Sequence, residues 1–173
     1  NFLKPLQDFL AFGATGMLIV TGIALLASVF HLGRPLFAYK ALKMWKRSWL
    51  SREVLFFALF SFLGAGYAGL LLLTHYLALP PSAWAQFIFG GAVVVSGLAG
   101  VYASAKIYLV PARPSWNTIR TPIRFFLTGF ILGPLFGLLI YSIYMVISFG
   151  KFEPKIMGPV FAWLAVSGTA AFF

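Results

Sequence analysis

No cysteine occurs among the 173 residues of this chain. That excludes structural disulfides, thiolate zinc sites and any iron–sulfur cluster held by the chain itself, because such clusters need thiolate ligands. Acidic residues are almost as scarce, with only Asp8, Glu53 and Glu153 against thirteen lysines and arginines. Charged residues make up 9% of the chain, too few to cover the surface of an ordinary water-soluble domain. Histidine appears twice, at His31 and His75, which limits the ways of holding a haem. What remains is 61% hydrophobic, with five tryptophans, seven tyrosines and twenty phenylalanines suited to lipid-facing packing and interfacial aromatic belts. The solvent of such a chain is largely lipid.

The expected fold class is all-α, a multi-pass transmembrane helix bundle forming one integral membrane domain over residues 1–173. About 20 apolar residues cross a hydrocarbon layer of roughly 30 Å. Four full spans meet that condition, at about 8–30, 53–78, 84–109 and 122–148, and a fifth begins near 157 and is cut off at 173. Beginning at Asn1 and stopping inside an apolar run, the chain reads as a piece of a longer protein. Residues 9–30 are long enough to span the bilayer and read as a retained helix rather than a signal peptide. Thr121–Pro122 predicts an N-cap followed by proline at the first helical position, and Pro80–Pro81–Ser82 a tight turn. Small residues spaced four apart, Ser96/Gly100/Ser104 and Gly129/Gly133/Gly137, predict close helix packing, and Pro134 a kink in the fourth span.

Residues 31–52, HLGRPLFAYKALKMWKRSWLSR, form the most informative loop. Over about 34–49, helical spacing sets Ala38, Ala41, Leu42, Trp45 and Trp49 on one side and Lys40, Lys43, Lys46 and Arg47 on the other. This predicts an amphipathic interfacial helix, serving either as a membrane anchor or as a docking surface for an acidic partner. The end of the bundle bearing loops 31–52 and 106–124 carries Arg34, Lys40, Lys43, Lys46, Arg47, Arg52, Lys106, Arg113, Arg120 and Arg124. By the positive-inside rule this end faces the cytoplasm. The net charge of +10 is accounted for by topology and docking, and no nucleic-acid motif accompanies it.

Ionisable groups at the edge of the hydrocarbon are costly, so each needs a reason. His31 closes the first span and Glu53 opens the second, which puts them at one end of the membrane. Each has a structural reading: Glu53 in the first turn of its helix with Ser51 as N-cap, His31 against the last carbonyls of its own. Together they also have a chemical one. Quinol oxidation releases two electrons and two protons, so a site needs a base, a proton exit and an electron acceptor. In this reading His31 is the base and Glu53 the relay, while Arg34, Arg52, Lys106 or Tyr108 orient the ring oxygens. His75 lies about 22 residues beyond Glu53 on the same span, roughly 33 Å away at 1.5 Å per residue, so the two histidines cannot clasp one haem.

Residues 31–53, HLGRPLFAYKALKMWKRSWLSRE, resemble the loop of the DMSO reductase anchor subunit family in which a histidine–leucine–glycine triplet is followed by proline and a serine-containing segment ending in glutamate. Residues 106–137, KIYLVPARPSWNTIRTPIRFFLTGFILGPLFG, resemble the same family's tyrosine, proline–tryptophan loop, threonine–proline helix start and glycine–proline break. The resemblance runs from about residue 9 to 150. It implies an eight-helix anchor in a prokaryotic inner membrane that binds menaquinol and holds an iron–sulfur subunit and a molybdopterin catalytic subunit. It also implies that His31 and Glu53 belong to the quinol site, and Lys106 stands where the family can have arginine. In many relatives the redox partners are expected on the outer face, opposite to what the positive-inside rule gives here.

The expected function is therefore a haem-free quinone-reactive anchor exchanging electrons with a neighbouring iron–sulfur protein. The alternative is a structural anchor or transporter fragment, in which His31 and Glu53 have no redox meaning. A transporter should show inverted repeats around a mid-membrane site, and the sequence has no such repeat.

Overall fold

The computed structural model describes residues 3–30, 35–77 and 82–150. His31, Arg34 and the expected fifth span lie outside the described residues. Four long helices follow one another: α1 (Leu3–Phe30), α2 (Trp49–Tyr76), α3 (Ala83–Tyr108) and α4 (Arg120–Phe149), with a 3₁₀ segment at Pro35–Met44. All four are long and apolar enough to cross a membrane, and no strand occurs among the described residues. The chain divides into one unit ending at Thr118 and a second beginning at Ile119.

Helix ends follow local chemistry. Ser48, in extended conformation at φ −113° and ψ 127°, caps α2 by accepting the Ser51 amide at 3.4 Å. The expected cap, Ser51, is instead buried inside the helix. Two serines three residues apart can each cap a helix, and the earlier one does so here. This puts Trp49 in the first turn of a spanning helix and Glu53 in the second turn. Ser82 caps α3 in the same manner, accepting the Ala85 amide at 3.3 Å.

The interfacial segment departs from expectation in its winding. Residues 35–44 form a 3₁₀ helix rather than an α-helix, so positions three apart eclipse and no α-type apolar stripe forms. Lys40 accordingly lies over the Phe37 ring, 4.1 Å from its centroid, while Tyr39, Met44 and Trp45 are exposed.

Within the first unit the buried positions are small apart from Leu71: Ala11, Ala14, Ala68, Ala103 and Ala105, with Ser51, Ser96 and Ser104. The large apolar side chains point outward, among them Phe62 at 77% exposure and Phe87 at 74%. This inverts a soluble core and suits helices that approach through small residues while lipid solvates the bulky ones. α1 meets α2 through Ala14, Ala68 and Leu71, flanked by Leu10, Leu18 and Tyr67.

α2 and α3 pack as an antiparallel hairpin in one register. A methyl group added to Gly100 would lie 3.0 Å from the Phe57 ring, and one added to Gly97 would lie 3.1 Å from Phe60. Nearer the connection, Phe89 covers Gly66 and Tyr67 lies against Gly90.

In the second unit α4 starts at Arg120 with Ile119 as its cap residue, and no side chain supplies a capping bond. Thr121 and Pro122 fall inside the first turn, where the missing proline N–H costs nothing. The helix runs through Pro134 and ends at Gly150, whose φ of 62° is the left-handed conformation that closes many helices. A Cβ at Gly129, Gly133 or Gly137 would meet nothing within 4 Å among the described residues.

Candidate functional site

Glu53 is half-buried, one turn into α2. Its carboxylate Oε1 accepts a hydrogen bond from the hydroxyl of Ser104 on α3. The expectation that helix-terminal amides stabilise Glu53 is thus corrected: because α2 starts at Trp49, the carboxylate lies past the first turn and draws its donor from the facing helix. Phe57 over Gly100, one turn further along both helices, holds the backbones close enough for this contact. Ala103 and Ala105, on either side of Ser104, are wholly buried.

Trp49 lies one turn before Glu53 and gathers two of the cations of this end. The Arg52 guanidinium sits 4.3 Å from its ring centroid, the Lys106 ammonium of α3 lies 5.3 Å away, and Tyr102 meets it edge-on at 5.9 Å. Arg52 also donates through Nε to the Trp45 carbonyl at 2.9 Å and through Nη2 to that of Lys46 at 2.8 Å. It thereby ties the turn after the 3₁₀ segment to the first turns of α2.

Of the residues singled out from the sequence, Glu53, Arg52 and Lys106 therefore all lie at the open end of the α2–α3 hairpin, the two cations against Trp49 and the carboxylate against Ser104. Tyr108 closes α3 and packs against Trp116, with ring centroids 5.6 Å apart, and the Arg113 guanidinium lies 4.6 Å from the Trp116 centroid. His31 and Arg34 lie outside the described residues. His75 is in the last turn of α2, at the opposite end from Glu53, where its Nδ1 lies 3.3 Å from Asp8 Oδ1 of α1. Sequence reasoning missed three participants: Ser104, read only as a packing residue, Tyr102, and Trp49, read as part of the interfacial segment. Ser104 had a signal. Counting outward by nearly equal steps from the connection between Leu77 and Ser82 brings it opposite Glu53.

Fold and site together define a multi-pass α-helical membrane protein in which a span carboxylate is held at a basic, tryptophan-bearing end. Comparison with known proteins is more specific. Residues 4–166 match the family model of the DMSO reductase anchor subunit (DmsC), and the chain belongs to that family. It is 33% identical over 129 residues to a polypeptide of the anaerobic dimethyl sulfoxide reductase of Escherichia coli (strain K12), covering 74% of this chain and 43% of that one. It is also 32% identical over 145 residues to a subunit of the sulfite dehydrogenase of Allochromatium vinosum, covering 75% and 42%. A polypeptide of the anaerobic dimethyl sulfoxide reductase of Haemophilus influenzae is 29% identical over 122 residues, covering 69% and 40%. The chain thus spans about two-fifths of the length of these curated relatives. No solved structure matches it.

Proposed function

We propose that this chain is the quinone-reactive part of the membrane anchor of a molybdopterin oxidoreductase complex, passing electrons between membrane menaquinone and an iron–sulfur partner. The observation that carries the reading is the Glu53 carboxylate, held by a hydroxyl on a facing helix at the basic end of the hairpin. An acidic group in that position is retained against its desolvation cost, and proton-coupled chemistry supplies a reason. Family membership and relatives named as parts of a dimethyl sulfoxide reductase and a sulfite dehydrogenase support the same conclusion.

In this scheme His31, the residue after the last turn of α1, takes a proton from the quinol hydroxyl, and Glu53 relays it toward water. Lys106 and Arg52 place positive charge beside the ring oxygens as negative charge develops on them, and Arg34 and Tyr108 supply further hydrogen-bond donors. Electrons leave through the partner's iron–sulfur clusters, since this cysteine-free segment offers no thiolate for one. The exposed 3₁₀ segment and the cations following it form the docking face for that acidic partner on the cytoplasmic side of the inner membrane.

The test is quinol-analogue oxidation by the purified complex carrying His31→Ala or Glu53→Gln. Loss of turnover with all subunits still bound is the expected result. Unchanged turnover in both variants would return these residues to a structural role, as in an anchor without a quinone site.

A further inference from the structure

The Ser104 hydroxyl has two acceptors within reach. Its Oγ is bonded to Glu53 Oε1 and also lies 3.1 Å from the carbonyl oxygen of Gly100, one turn earlier on its own helix. A hydroxyl carries one proton and can donate it to only one acceptor at a time, while its lone pairs accept from another donor. We propose that Ser104 is a positioning residue for Glu53, turning its single proton between the Glu53 carboxylate and the Gly100 carbonyl so that the carboxyl group is hydrogen-bonded in both protonation states.

The proton count closes without any other group. With Glu53 ionised, the Ser104 O–H points at Oε1. When a proton arrives on that oxygen, the new carboxyl O–H donates to Ser104 Oγ, and the serine proton rotates onto the Gly100 carbonyl. Release of the proton toward water reverses both rotations. No bond to carbon changes, and neither state leaves a buried polar atom without a partner. This matters because Ser104 is buried and an unsatisfied polar group there is expensive, and no buried side-chain nitrogen or oxygen among the described residues lacks a partner.

Arg52 and Lys106, the cations on the two helices that carry this pair, have different attachments. On α2, Arg52 is committed to the Trp45 and Lys46 carbonyls and the Trp49 ring; on α3, Lys106 and Tyr102 both lie against Trp49. On the 3₁₀ segment Lys40 covers Phe37, and Lys43 sits in its last turn. Ser104 is thus the hydrogen-bond partner that Glu53 has among the described residues. Gly100 contributes twice, giving the second acceptor and the close approach beneath Phe57.

The role of the switch in turnover rests on the quinone reading above, and the experiment separates the two. In the intact complex, acid–base infrared difference spectra locate the carboxyl band of Glu53 by its loss in Glu53→Gln. Ser104→Ala should move that band to the higher frequency of a carboxyl without a hydrogen-bonded partner. The same variant should lower kcat for quinol by on the order of tenfold with KM unchanged, and Ser104→Thr, which keeps the hydroxyl, should restore both. An unmoved band in Ser104→Ala overturns the proposal, as does normal kcat in Ser104→Ala when Glu53→Gln is inactive. If the band moves while neither Ser104→Ala nor Glu53→Gln affects turnover, the hydrogen-bond switch stands and the quinone reading falls.

Discussion

An acidic residue at the centre of a membrane helix costs about 2.5 to 3.5 kcal/mol on insertion scales, less toward the ends. Glu53 offsets part of this with the Ser104 hydrogen bond and with its place near the end of α2. Glutamine keeps the size and hydrogen-bonding capacity but cannot carry a proton, so Glu53→Gln should leave assembly intact while lowering quinol turnover by about 10²-fold or more. At the other end of α2, the Asp8–His75 pair joins two helices through side chains 36% and 31% exposed. A double-mutant cycle in detergent should assign it only about 0.2–1 kcal/mol, as for other solvent-accessible pairs. Glu53 was legible as a lone acidic residue opening an apolar run. Its partner was not, because a serine four residues after a glycine in a membrane helix reads equally well as packing, and only the hairpin register tells the two apart.

Helices α2 and α3 depend on aromatic rings seated over glycines. Gly100→Leu would drive a branched side chain into Phe57, whose ring already lies within contact of a single added methyl. The expected destabilisation is about 1–3 kcal/mol or more, read as a fall in the thermal midpoint of the purified complex. Gly129→Leu, where an added Cβ meets nothing within 4 Å among the described residues, should cost less and serves as the control. The spans themselves stood out in the sequence because twenty-residue apolar runs have few other readings. Their ends were harder. Ser48 and Ser51 both have capping chemistry, and it is Ser48 that accepts the capping bond, beside a turn that Arg52 ties to the helix through the Trp45 and Lys46 carbonyls. The 3₁₀ winding of 35–44 was hidden for a related reason: apolar and basic residues at α-helical spacing fit a stripe that the tighter helix does not form.

Among the described residues of the first unit, most bulky residues face outward and the buried positions are mainly small, as the composition suggested for a chain solvated by lipid. The charge distribution predicts an orientation. With the segment free of cysteine, single cysteines at Lys43 and Leu77 offer a direct reading with a membrane-impermeant thiol reagent. Lys43→Cys should react only in inside-out vesicles and Leu77→Cys only in right-side-out ones; the reverse pattern would put the basic end outside. The hairpin register has a mechanical consequence as well. Phe57, Phe60 and Phe89 each sit over a glycine of the opposing helix, so sliding α2 along α3 would unseat all three rings together. The pair behaves as a latched rail rather than a piston, with the next equivalent stop about 5.4 Å away. Proton traffic at Glu53 therefore turns a hydroxyl through a fraction of a rotation while the helices that carry it keep still.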